Sequence, residues 1–224
     1  NILSDDTLHY RDSLLINKLK NWNYEYSKSS VEATIFDVWL KEIETLTWHD
    51  DFGREDSIYL WPHINILDDL IVNQPQSKWF DNSSTTKIEQ LDDIVNSAFI
   101  NTINYLTEKF GDMNNLWDWG NYRGTNINHI ANIPGLGVYD IRTDGGPEII
   151  NATGKTFGPS WRYNIELSEK INAIGVYPGG QSGYPGSYYY DNFIEDWSNG
   201  IYYNLEFSNN TIDINGKSYT CIAQ

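Results

Sequence analysis

The chain has 224 residues, and 31 acidic residues against 15 Lys and Arg give it a formal net charge of −16. This balance argues against nucleic acid or an anionic membrane as a partner, because both bind through basic surfaces. Since Cys221 is the only cysteine, no internal disulfide is possible, and no apolar run approaches the ~18 residues of a membrane span.

The first half of the sequence has the apolar periodicity of amphipathic helices. A first helix is predicted after Ser4-Asp5-Asp6, with Leu8, Leu15, Leu19 and Trp22 on its apolar side. Three more are predicted at residues 30–46, 65–72 and 87–110. Gly111 is expected to end the last of them, because glycine readily adopts the conformation that caps a helix C-terminus.

From Trp117 onward the pattern changes to short strands separated by glycines. Strands are predicted at residues 137–142, 161–167, 171–177, 201–207 and 218–222, the last entered through a turn at Asn215-Gly216. Helices followed by strands predict an α+β fold. We interpret residues 1–224 as a single unit, mainly helical over 1–116 and mainly strands over 117–224.

A loop rich in glycine and proline follows the strand at residues 171–177 and runs to Ser187. Gly and Pro are the residues that allow so tight a loop. Ser187 is predicted to be the N-cap of a helix that carries Phe193, Ile194 and Trp197. We expect Gly180→Val and Gly183→Val each to destabilise the protein by roughly 1–3 kcal/mol, because a Cβ would strain the loop.

The loop sequence P-G-G-Q-S-G-x-P-G-S, followed by Tyr190-Asp191 and Trp197, resembles the C-terminal part of the penicillin acylase family. Further segments resemble the family in the same order, and their ordered co-occurrence carries the resemblance: Leu19 to Asn23, Ala33 to Trp39, Trp119-Gly120, Pro134 to Gly137, Gly145-Gly146, Asn151-Ala152 and Gly158-Pro159-Ser160-Trp161-Arg162. The chain departs from the family at Arg123 and Tyr189, where His is frequent, and at Asn192, where a second Asp is common.

Members of that family are N-terminal-nucleophile amidohydrolases. The resemblance implies a sandwich of two sheets between helix layers (αββα), completed by upstream sequence. It also implies a nucleophile at the first residue of a large subunit, with its own α-amine as base. Asn1 cannot serve as that nucleophile, so the resemblance identifies this chain as the C-terminal part of the nucleophile-bearing subunit, inactive alone.

The implied partners are the remaining acylase chain or chains and a small-molecule amide substrate. An extracytoplasmic or secreted location is favoured by the same resemblance, and no cofactor or metal is expected. Residues 112–123 mimic a calcium loop, but Arg123 stands at the twelfth position, where an EF-hand requires Glu.

Glu166 is the one candidate site residue that the resemblance transfers to this chain. In some acylases of this superfamily a Glu on the strand after the G-x-S segment supports a His near the nucleophile, and a carboxylate that orients an imidazole is sound chemistry. The alternative is that Glu166 faces solvent. Arg162, earlier on the same predicted strand, either pairs with a carboxylate, which we favour, or shapes a substrate pocket.

Two other classes of function compete with the amidohydrolase. The 9 Trp and 16 Tyr suit a carbohydrate-binding module, but many aromatics, such as Trp39 and Phe99, lie at helix-core spacing. A two-carboxylate glycosidase would need a pair of acidic residues that the sequence does not single out. Neither alternative accounts for the ordered Gly and Pro motifs.

Overall fold

The structure is a computed structural model that describes residues 10–53 and 60–206. The chain divides into two compact units, Asn1–Tyr122 and Arg123–Gln224. The first consists of helices and the second mainly of short antiparallel strands, which confirms the α+β fold. Among the described residues, no helix combines the length and apolar character needed to cross a membrane.

Five helices belong to the first half of the described chain: α1 (Tyr10–Lys20), α2 (Val31–Phe52), α3 (Ile64–Asn73), α4 (Leu91–Phe110) and α5 (Trp119–Arg123). The first four were predicted, although the part of the first helix before residue 10 lies outside the described residues. The short α5 was not predicted. Gly111 ends α4 at a φ of 78°, as expected.

Two predicted helix boundaries were wrong. Helix α2 continues six residues beyond 46, because Trp48 near its end is buried and packs on Phe52. Helix α4 begins at Leu91 instead of 87, because Gln90 forms a capping box with Asp93. A capping box satisfies backbone N–H groups that the first turn leaves free and so fixes where a helix begins.

The helical unit is held together by packing between α2 and α4. Two buried clusters lie along these helices, one including Ile43, Trp48 and Phe80 and the other including Ile35 and Phe99. The Trp39 indole contacts both clusters and donates to the Val95 carbonyl at 3.0 Å. Trp39 and Phe99, in the predicted pattern, are therefore core residues and not a sugar-stacking platform.

The described part of the second unit, residues 123–206, contains two small antiparallel sheets and, after α5, one helix. Strands β1 (Thr125–Ile127) and β2 (Val138–Ile141) form a pair, and β3 (Arg162–Glu166), β4 (Asn172–Val176) and β5 (Tyr203–Leu205) form a three-stranded sheet with β4 in the middle. Helix α6 (Ile194–Asn199) lies between β4 and β5 in the sequence. The predicted strand at 218–222 and its turn lie outside the described residues.

The prediction that Ser187 caps a helix was wrong. Helix α6 starts at Ile194, with Phe193 as its N-cap, and the Ser187 hydroxyl accepts a hydrogen bond from the Tyr189 N–H at 3.2 Å. The Phe193 N–H donates to the Gly179 carbonyl at 2.9 Å. Because the backbone between Ser187 and Phe193 is engaged in turns and in the loop, it cannot be helical.

Candidate functional site

The family-like motifs converge on the β3–β4 hairpin, the loop that follows β4, and α6. Arg162 pairs with Val176 across the two strands, and Glu166 pairs with Asn172 at the other end. Strand β4 is largely buried, whereas β3 is an edge strand whose residues are mostly exposed. The hairpin therefore has one anchored strand and one open strand.

The glycine-rich loop after β4 is held by backbone contacts with the segment before α6. The Ser182 N–H donates to the Tyr189 carbonyl at 3.0 Å. A Cβ built on Gly180 would overlap the Tyr189 carbonyl oxygen and would lie 2.6 Å from the Tyr190 oxygen. Close backbone approach thus requires glycine at position 180.

The expectation for Gly183 was wrong. A Cβ on Gly183 meets no atom within 4 Å, and its φ lies outside the positive range that disfavours side chains. The Ser182 hydroxyl beside it accepts a hydrogen bond from the Tyr184 N–H at 3.1 Å. The tip of the loop therefore has room for a side chain. Glycine is required only in the part of the loop that contacts the backbone of residues 189–190.

Trp197 on α6 explains why the G-P-S-W-R segment and the later Trp occur together. Its fully buried indole donates to the Pro159 carbonyl at 2.9 Å. A Cβ on Gly158 would lie 2.8 Å from the same ring. The Arg162 guanidinium lies over the ring at 4.5 Å and donates through Nη1 to the Trp197 carbonyl at 2.8 Å. A cation near helix-terminal carbonyls is favourable, so Arg162 ties β3 to α6.

Burial lowers the pKa of the Arg162 guanidinium, while the Tyr202 hydroxyl and the Asp144 carboxylate act in the opposite direction. Arg162, Asp144 and Tyr202 line a pocket of about 420 Å³ together with Trp161, Tyr163 and other residues. The partly desolvated guanidinium of Arg162 therefore lies beside this pocket, next to aromatic side chains.

Glu166 lies at the far end of β3 and is exposed. In the strand alternation it shares a face with Arg162 and Asn164. Two histidines act locally: Nδ1 of His63 accepts from the Asn65 N–H, and Nδ1 of His129 accepts from the Ala131 N–H. Nowhere in residues 10–53 and 60–206 do three His, Cys, Asp or Glu side chains form a group able to hold a metal ion.

Arg123, which stands where the family often has His, is the centre of a polar network that sequence reasoning missed. Its Nη1 donates to the carbonyls of Gly145 (3.0 Å) and Thr153 (2.6 Å), and its Nη2 donates to the hydroxyls of Thr143 (2.7 Å) and Thr153 (2.8 Å). Thr125 and Thr143 exchange a hydrogen bond of 2.9 Å, and all three threonines are buried. The three threonines are far apart in the sequence and belong to no recognisable motif, so the sequence did not predict this network.

A sequence model of the family described as penicillin amidase matches residues 3–213. The acyl-homoserine lactone acylase QuiP of Pseudomonas syringae pv. tomato is 23% identical over 210 residues, which cover 84% of this chain and 25% of that protein. The protein of the same name from Pseudomonas aeruginosa is 20% identical over 228 residues, 88% of this chain and 27% of that protein. The chain thus spans about a quarter of the length of these relatives.

A thermostable penicillin G acylase from Alcaligenes faecalis has a similar fold, with a TM-score of 0.53 at 13% sequence identity. The similarity covers 97% of this chain and 44% of that chain. Since identity is low, this likeness concerns the fold, and it agrees with the expected N-terminal-nucleophile hydrolase architecture.

Proposed function

Because this chain belongs to the penicillin amidase family, we propose that it is the C-terminal segment of an enzyme that hydrolyses a linear acyl-amide bond. It supplies scaffold and part of a pocket wall, and the remaining acylase chain or chains supply the nucleophile. The observation that carries the proposal is the family match over residues 3–213, in a chain that spans a quarter of its relatives.

The reaction of such an enzyme has two halves. The nucleophile attacks the amide carbonyl carbon, donors stabilise the oxyanion, and the amine leaves with a proton. Water then cleaves the acyl-enzyme, releasing the carboxylic acid and restoring the nucleophile. The present chain takes part by holding neighbouring groups in position, because positioning sets the geometry of attack.

Glu166 is the positioning residue in this proposal. Its exposed carboxylate at the end of β3 is available to a histidine of the remaining acylase chain, whose imidazole it would orient and whose charged form it would stabilise.

Replacing Glu166 by Gln is expected to lower kcat of the assembled enzyme by roughly tenfold or more, and to move the lower limb of the pH–rate profile, while KM changes little. Glu169→Gln, on an exposed residue beyond β3, is the matched control. An unchanged rate and profile in Glu166→Gln would remove this residue from the mechanism.

The proposed docking surface for the remaining acylase chain is one face of the three-stranded sheet, which we call the aromatic face. It is formed by alternating residues of neighbouring strands: Trp161, Tyr163, Ile165, Tyr177 and Tyr203. Tyr163 is 60% exposed and Ile165 40% exposed. An exposed apolar surface next to an open edge strand is typical of a site that another polypeptide covers.

Replacing Ile165 by Lys is expected to lower the recovery of the co-purifying acylase chain, and the amide hydrolysis that depends on it, by at least roughly tenfold, because an unpaired charge would be buried. Gln181→Lys places the same charge on an exposed loop residue outside the sheet and should leave both quantities unchanged. Size-exclusion chromatography with intact mass measures the recovery.

Equal recovery in the two variants would contradict the docking proposal. So would a monodisperse, cooperatively unfolding monomer of this chain that binds no other polypeptide. Specific sugar binding by such a monomer would favour the carbohydrate-binding alternative.

A further inference from the structure

The pocket beside β3 contains a cation whose hydrogen-bonding capacity is only partly used. Nη1 of Arg162 is bound to the Trp197 carbonyl. Nε and Nη2 are buried, and neither forms a hydrogen bond of acceptable geometry among the described residues. Although burial lowers the pKa of the guanidinium, the Tyr202 hydroxyl interacts with it and acts to raise this pKa. Buried N–H groups of a charged side chain are costly to leave without acceptors and are rarely left so.

Nε and Nη2 lie along one edge of the planar guanidinium. Two parallel N–H groups on such an edge match the two oxygens of a carboxylate, and this bidentate pairing is stronger and more specific than a single contact. The pocket wall is mixed: Pro159, Ile150 and the ring of Tyr202 are apolar, whereas Asp144, Asn151 and Ser198 are polar. The apolar part suits a carboxylate that carries an apolar group.

We propose that the Nε–Nη2 edge of Arg162 binds the carboxylate of an apolar acid, whose tail lies against Pro159 and Ile150 in the same pocket. Because both nitrogen atoms are covered in this structure, the Tyr202 side chain, which lines the pocket and is near the guanidinium, moves aside when the acid enters. Asp144 in the same pocket repels the carboxylate, and contacts of the apolar tail with the pocket wall offset this cost.

The same carboxylate chemistry has two sources. One is a free acid, and the other is an Asp or Glu side chain of another polypeptide packed at this edge. This inference does not depend on amide hydrolysis, because recognition of a carboxylate by Arg162 requires only the groups of the pocket.

The probe for a free acid is octanoate, with octanamide as a partner of equal length that lacks the charge. Isothermal titration of the complete protein should show octanoate binding at least roughly tenfold more tightly than octanamide. Octanoate should also shift the Arg162 Nε–H resonance in nitrogen-15 spectra, a readout that needs no variant.

Arg162→Lys keeps the charge but loses the two-pronged edge, and should weaken octanoate binding by roughly tenfold. Arg142→Lys, on an exposed arginine of the same unit, is the matched control and should bind as the wild type does. Tyr202→Ala keeps Arg162 and opens the covered edge, so it should bind octanoate at least as tightly as the wild type.

A carboxylate supplied by another polypeptide gives a different result. In that case octanoate binds neither the wild type nor Tyr202→Ala, and a co-purifying polypeptide is lost from Arg162→Lys but kept by Arg142→Lys. The proposal is overturned if octanoate and octanamide bind equally, or if octanoate binding survives Arg162→Lys. It is also overturned if octanoate does not bind and Arg162→Lys loses no partner.

Discussion

Replacing Arg123 by Met is expected to lower the free energy of unfolding by about 3 kcal/mol. The substitution keeps an unbranched apolar stem but removes the guanidinium, and with it all donors to the carbonyls of Gly145 and Thr153 and to the hydroxyls of Thr143 and Thr153. The abandoned acceptors remain in a buried environment, where unsatisfied polar groups are costly. Urea titration followed by tryptophan fluorescence measures the loss.

Arg142→Met is the matched control for this experiment. Arg142 belongs to the same unit but is exposed, so its replacement should cost less than about 1 kcal/mol. Arg123→His introduces the residue that the family often has at this position, and it should fall between the wild type and Arg123→Met, because imidazole offers fewer donors. Equal stability of the Met variants at positions 123 and 142 would show that the network contributes little.

Replacing Gly180 by Val is expected to destabilise the protein by about 3 kcal/mol, at the upper end of the cost of overpacking. The backbone of Tyr189 and Tyr190 passes so close to Gly180 that no room remains for a Cβ. Backbone atoms cannot move aside as a flexible side chain can, so the loop and the segment leading into α6 must both shift.

Gly183→Val is the control within the same loop, because a Cβ there meets no atom within 4 Å. It should change stability by less than about 0.5 kcal/mol. Thermal melts of both variants, with amide hydrolysis per folded molecule of the assembled enzyme, separate architecture from chemistry. Abolished turnover at wild-type stability in Gly180→Val would place the loop in the reaction itself.

The sequence predicted the helical unit well because its signals are local. The apolar spacing of α4 and the glycine that ends it act within one helix, and the structure places both as expected. One error was itself local, because the capping box of Gln90 and Asp93 starts α4 later than predicted. Other errors arose where a longer-range contact decided the outcome. Helix α2 is extended by a buried Trp48, and Ser187, a sound cap by composition, is drawn into turns because Phe193 bonds to Gly179.

The site was less predictable, because its groups come from distant parts of the chain. The family-like motifs located the hairpin, the loop and α6, but not the contacts between them. The stacking of Arg162 on Trp197 joins residues 35 positions apart. The bonds of Arg123 to Thr143 and Thr153 span 20 and 30 positions. Periodicity and turn chemistry carry no information on such pairings.

We propose that this chain forms part of an amidohydrolase whose nucleophile lies outside residues 1–224. The most direct test is an acid quench of the complete protein during turnover of an acyl amide, followed by intact mass and peptide mapping of every polypeptide. We expect an acyl group on a residue outside residues 1–224 and none within them. An acyl group mapped to a residue within 1–224 would contradict this proposal.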